Sequence, residues 1–80
     1  MSKDSVYVTV LNLGGRHGAA KLKETLDELR GVLSVSVNQK SSKIAVDFDS
    51  TGVQEEQIRN AIEHMGFQIL SSVQERHPMQ

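Results

Sequence analysis

The fold is decided by the stretch AAKLKETLDELRGVLSVSVN, residues 19–38. In its first half, Leu22, Leu26 and Leu29 recur at helical spacing with charged residues on the other faces, which predicts an amphipathic helix with one buried stripe. In its second half, valines alternate with serines, which predicts a half-buried strand. Gly31 separates the two halves, where glycine most easily ends a helix in a left-handed conformation.

The same two periodicities continue on both sides of this stretch. They predict strands at about 6–11, 32–38, 43–48 and 67–73, and helices at about 19–29 and 55–65. The resulting order, βαββαβ, predicts an α+β fold: a ferredoxin-like sandwich whose four-stranded antiparallel sheet carries both helices on one face. We expect a single domain over 1–80, with a core from about 5 to 73. The polar segment 74–80 contains the only proline, and we expect it to be a frayed tail.

Alternation assigns each strand residue to a face. Leu33 is expected to share the core face with Val35 and Val37. The predicted core comprises Val8, Val10, Leu22, Leu26, Leu29, Val35, Val37, Ile44, Val46, Ile58, Ile62 and Phe67. The opposite face of the sheet is expected to carry Tyr7, Thr9, Ser34, Ser36, Lys43, Ala45 and Asp47.

Composition excludes several classes of function. The net charge of -1 provides no basic field for nucleic acid and no polybasic patch for lipid. The absence of cysteine removes disulfides, thiolate nucleophiles and thiolate metal ligands. No apolar run reaches the length of a membrane span, and the N-terminus lacks a signal-peptide pattern, so we expect a cytoplasmic monomer.

The loop Leu13-Gly14-Gly15-Arg16-His17-Gly18 joins the first strand to the first helix. Its glycines leave backbone N–H groups accessible before a helix, an arrangement that can bind an anion. The spacing matches neither a dinucleotide fingerprint nor a P-loop. A small-anion or amino-acid sensing domain of the ACT type, which has the same element order, therefore stays open.

Two further stretches give the chain a family resemblance that covers about Val6 to Leu70. These stretches are LDELRGVLSVSV, residues 26–37, and AIEHMGF, residues 61–67. With them, the chain resembles heavy-metal-associated domains, the fold of copper chaperones and of the N-terminal modules of metal-transporting ATPases. In that family the first loop carries a Gly-Met-x-Cys-x-x-Cys motif, and its cargo is a heavy-metal ion such as Cu(I).

The resemblance places that motif by counting back from Gly31. Leu13 takes the methionine position, as an apolar plug under the loop, and Phe67 takes the aromatic position that borders the metal. Gly15 and Gly18 take the two cysteine positions. Because glycine has no side-chain donor, the family's metal role does not carry over to either residue.

The other possible ligands have simpler interpretations. His17 is the one metal candidate in the loop, but a single imidazole does not make a selective site, and a solvated polar residue is the favoured interpretation. His64 is expected to stabilise a helix C-terminus, and Met65 lies at core spacing. No potential nucleophile lies at a sequence spacing from a potential base that indicates a catalytic site, so we do not expect an enzyme.

Three functional hypotheses follow. The first is a heavy-metal-associated protein with a lost or weakened soft-metal site and no cofactor. The second is a metal-independent interaction module that docks a protein partner through the first loop (Gly14, Gly15, Arg16, His17 and Gly18), the first helix and Phe67. In that case Arg16, Lys21 and Lys23 would steer the partner. The third is the ACT-like sensor.

Overall fold

The predicted element order is confirmed in the computed structural model, which describes residues 3–11, 13 and 18–77. The elements are β1 (Lys3–Val10), α1 (Gly18–Asp27), β2 (Val32–Asn38), β3 (Lys43–Asp49), α2 (Glu55–His64) and β4 (Ile69–His77). No helix among these residues is long and apolar enough to cross a membrane.

The strands form one four-stranded antiparallel sheet in the order β2-β3-β1-β4. β1 is therefore central, with β3 on one side and β4 on the other. The helices contribute their apolar stripes to a core against this sheet, because Leu22 and Leu26 of α1 and Ile58 and Ile62 of α2 are fully buried. The ferredoxin-like sandwich expected from the sequence is thus the observed fold.

The buried core contains most of the predicted residues and differs at its edges. Leu29, Val37 and Phe67 are only partly buried and pack against the core from outside. Five apolar residues that the predicted core omitted are buried: Val6, Leu13, Ala19, Phe48 and Val53. None of the residues expected on the opposite sheet face is buried.

Leu33 corrects the face assignment in β2. Its side chain is 55% exposed instead of facing the core. The cause is a shift in the β2–β3 register between Val32 and Ser34, which displaces the alternation by one position. Val32 packs against the core instead.

The predicted tail is wrong for Gln74 to His77, which belong to β4. This polar segment pairs with the start of β1, where Gln74 lies opposite Val6 and His77 opposite Lys3. Backbone pairing does not require apolar side chains, so hydrophobic periodicity missed this half of the strand. Residues 78–80 lie outside the described part of the chain.

Two glycines adopt the left-handed conformation that ends each helical segment, Gly31 with φ 93° and Gly66 with φ 97°. Gly31 also packs tightly against the loop after β3, since a Cβ atom on it would lie 2.9 Å from the carbonyl carbon of Gly52. The Asp49 N–H donates a 2.7 Å hydrogen bond to the Gly31 carbonyl oxygen. The turn after α1 is therefore fixed against the loop that precedes α2.

Candidate functional site

The candidate site lies where β1 ends and α1 begins. Leu13 is fully buried in the core, which anchors the loop from below. The Leu11 N–H donates a 2.9 Å hydrogen bond to the Gln68 carbonyl oxygen, so the segment before β4 is held beside the end of β1. The loop residues Gly14, Gly15, Arg16 and His17 lie outside the described part of the chain.

Phe67 and Gly18 meet at this place. A Cβ atom built on Gly18 would lie 3.4 Å from Cζ and 3.9 Å from Cε1 of Phe67, which is ordinary van der Waals contact. Phe67 is half-buried and follows the left-handed Gly66. A side chain at position 18 would therefore fit without a clash and would rest against the aromatic ring.

The chain provides no thiolate for a metal ion. It contains no cysteine, and the part of the chain that the structure describes contains no group of His, Asp and Glu residues placed to hold a metal. A Cu(I) ion requires soft ligands, and thiolates are the ones that this fold would supply. The donors present therefore do not fit a Cu(I) cargo of the kind that the resemblance implies.

The other two sequence candidates lie at the C-terminal end of α2. His64 is exposed in the last turn of α2, where a cation suits the helix dipole. Met65 is partly buried and packs against the core.

The first helix presents basic groups beside the loop. Lys21 and Lys23 are exposed on α1. The Lys23 Nζ atom lies 3.0 Å from Oδ2 of Asp27, so part of its charge is balanced within the helix. Of these two side chains, Lys21 has the less compensated charge for steering a partner.

Asp4 is a polar residue of interest that the sequence analysis missed. It is only 1% exposed and lies at the other end of β1 from the loop. The alternation of the strand could have indicated its burial, because Asp4 lies on the same face of β1 as Val6, Val8 and Val10.

The element order, the sheet topology and the proximity of Phe67 to Gly18 define a class, that of small ferredoxin-like βαββαβ domains. The chain belongs to the heavy-metal-associated domain family, which matches it over residues 8–68.

Individual relatives agree with this assignment. The copper chaperone CopZ of Enterococcus hirae is 33% identical over 60 residues, which cover 75% of this chain and 87% of CopZ. A solved copper binding domain from HMA7, a P-type ATPase, is 30% identical with a TM-score of 0.74, covering 90% of this chain and 97% of that one. A solved CopZ metallochaperone, 24% identical with a TM-score of 0.78, has the same fold over 82% of this chain and 98% of its own.

Proposed function

We propose that this chain is a heavy-metal-associated protein in which soft-metal binding at the first loop is lost or weakened. The observation that carries the proposal is the absence of cysteine from a chain that belongs to this family. With glycine at positions 15 and 18, the loop offers no thiolate, and His17 is a single borderline ligand. On this proposal the protein acts by binding, in the cytoplasm and as a monomer, without a catalytic step.

The test restores the missing donors. The double variant Gly15→Cys/Gly18→Cys is expected to compete for Cu(I) against a coloured chelator with one ion per protein, whereas the parent does not compete. The contact between position 18 and Phe67 supports this design, because the new side chain has room.

A matched control separates site formation from mere thiol content. Glu28→Cys/Lys40→Cys places two cysteines at exposed positions, one after α1 and the other in the β2–β3 turn. This control is expected to bind Cu(I) far more weakly than the loop variant. Equal competition by the two variants, or strong competition by the parent, would overturn the proposal.

A second candidate function is docking of a protein partner with an acidic surface. The exposed Lys21 beside the loop favours it, because a basic group at the rim of an interface raises the rate of association. Lys21→Glu is expected to slow association with such a partner, and Lys40→Glu, on the β2–β3 turn, serves as the control. Equal rates for both variants would remove α1 from the interface.

The third hypothesis, an ACT-like sensor, has less support because the family match extends over both helices, β2, β3 and the end of β1. Its test is a titration of the protein with phosphate and with amino acids while the amide signals of Gly14 to Gly18 are followed. Saturable shifts confined to those signals would restore this hypothesis.

A further inference from the structure

A pocket lies at the opposite end of β1 from the first loop, on the side where α2 begins. Its volume is about 460 Å³, and Asp4 of β1, Glu55, Glu56 and Arg59 of α2 and Gln74 of β4 contribute to its wall. Asp4 lies six positions before Val10, which corresponds to about 20 Å along an extended strand. The pocket is therefore separate from the family's metal loop, and the inference below does not depend on the proposed function.

Asp4 lines this pocket and has one carboxylate oxygen without a hydrogen-bond donor among the described residues. The residue is 1% exposed, and its Oδ2 atom accepts a 2.7 Å hydrogen bond from Nε2 of Gln74. Its Oδ1 atom is buried and has no hydrogen-bond donor among the described residues. A buried carboxylate oxygen without a donor is unfavourable, because it has lost water and gained nothing in return.

The charges around Asp4 favour a cationic donor. Among the described charged residues of the wall, three carboxylates (Asp4, Glu55 and Glu56) face one guanidinium, that of Arg59. The Arg59 Nε atom lies 3.5 Å from Oε1 of Glu55, which is an ion pair, although this buried Nε atom has no hydrogen-bond partner among the described residues. Acidic groups therefore outnumber basic ones among the described residues of the wall.

We propose that this pocket binds a small organic cation, an ammonium or guanidinium group with several N–H donors. One N–H would donate to Oδ1 of Asp4, and the positive charge would be balanced by Glu55 and Glu56; such charge-assisted hydrogen bonds are stronger than neutral ones. A metal ion fits less well, because no group of three acidic or histidine ligands converges among the described residues. The depth of Asp4 restricts the ligand to a group that is small enough to enter the pocket.

The test is a titration of the ¹⁵N-labelled protein with agmatine, putrescine and guanidinium chloride, followed by NMR. Saturable shifts are expected at the Gln74 side-chain amide and at the backbone amides of Asp4 and Glu55. Sodium chloride at the same ionic strength is the blank. If the organic cations produce no more than this blank does, or shift signals elsewhere, the proposal is overturned.

Variants connect the binding to the carboxylate. Asp4→Asn keeps the size of the side chain and removes its charge, and it is expected to weaken binding by about tenfold or more. Glu56→Gln, exposed at the rim, is expected to weaken binding several-fold and gives a second reading if Asp4→Asn does not fold. Asp27→Asn on α1 is the matched control and is expected to bind as the parent does. Parent-like binding by both pocket variants would contradict the proposal.

Two further arms identify other occupants. Mg²⁺ is titrated in parallel, and identical shifts at lower Mg²⁺ concentration would replace the organic cation with a divalent metal. Arg76 pairs with Asp4 along the backbones of β4 and β1. If the organic cations produce no saturable shifts in the parent but do so in Arg76→Gln, a group of the chain itself occupies the pocket, and the proposal is overturned.

Discussion

The ring of Phe67 lies directly over Gly18, close enough that a single added carbon on the glycine would touch Cζ at 3.4 Å. Position 18 is the first residue of α1, and its φ lies outside the left-handed region. The contact shows that the glycine is not required by space or by backbone conformation. Its presence removes a side chain from a place that could hold one.

Gly18→Ala is therefore expected to be tolerated and to raise the free energy of unfolding by up to about 0.5–1 kcal/mol, because alanine loses less backbone entropy in a helix than glycine does. Urea denaturation of the parent and the variant checks this. A loss of stability of more than about 1 kcal/mol would mean that Phe67 cannot accept the added methyl group.

Gly31→Ala and Gly66→Ala form a matched pair that separates backbone strain at positive φ from a steric clash of the added Cβ atom. Both glycines have positive φ, but a Cβ atom on Gly31 would lie 2.9 Å from backbone atoms of Gly52 and Val53, whereas one on Gly66 meets nothing within 4 Å. Gly66→Ala is expected to cost about 1–2 kcal/mol, the penalty of a left-handed conformation. Gly31→Ala is expected to cost clearly more, measured by thermal and urea unfolding. Equal losses would show that the loop after β3 moves aside freely.

Leu26→Ala and Ile62→Ala are expected to cost about 2–5 kcal/mol each, because both side chains are fully buried between the helices and the sheet. Leu33→Ala is the control; its side chain is 55% exposed, and it is expected to cost less than about 1 kcal/mol. Chemical denaturation measures all three. A large loss at Leu33 would contradict the register shift in β2.

Asp47→Ala is expected to lower stability by about 1–3 kcal/mol, because the Asp47 carboxylate accepts hydrogen bonds from the hydroxyl groups of Ser5 and Ser34, and Ser5 is buried. Asp27→Ala removes an exposed carboxylate paired with Lys23 and is expected to cost no more than about 0.5 kcal/mol. Similar losses for the two variants in urea denaturation would show that the cluster across β1, β2 and β3 adds little.

Truncation after Val73 is expected to destabilise the fold, because it removes the half of β4 that pairs with Lys3 to Val6 and the Gln74 side chain that donates to Asp4. Truncation after His77 is the control. Thermal unfolding of both shortened chains and of the parent measures the effect. Equal melting temperatures for the two truncated chains would mean that residues 74–77 add no stability, as expected of a frayed tail.

Much of the fold could be predicted because the apolar periodicity is unambiguous in both helices and in β3. The stripe of Ile58 and Ile62 and the alternation of Ile44, Val46 and Phe48 each have one interpretation. The two failures have different causes, since the second half of β4 has no apolar periodicity to recognise. Leu33 changed faces through a shift in strand pairing, which a local pattern does not record.

The sequence predicts a place for the candidate site, the first loop, but does not supply a complete set of ligands for it. Gly31 and Phe67 fixed the register of the first loop, and the contact between Phe67 and Gly18 agrees with that register. The pocket around Asp4 could not be predicted from the sequence, because it depends on Gln74 of β4 and on residues of α2, which are distant from Asp4 along the chain. Periodicity within one segment does not reveal which segments meet.

The central position of β1 has a consequence for the order of folding. β1 is synthesised first, yet its partners come much later, since Thr9 pairs with Lys43 and Lys3 with His77. A nascent chain therefore carries β1, with its buried valines, unpaired until β3 is made, and the sheet is incomplete until β4 is made. Such distant pairings slow folding relative to a chain built on local contacts, and Val6, Val8 and Val10 lack their sheet partners until β3 and β4 have been made.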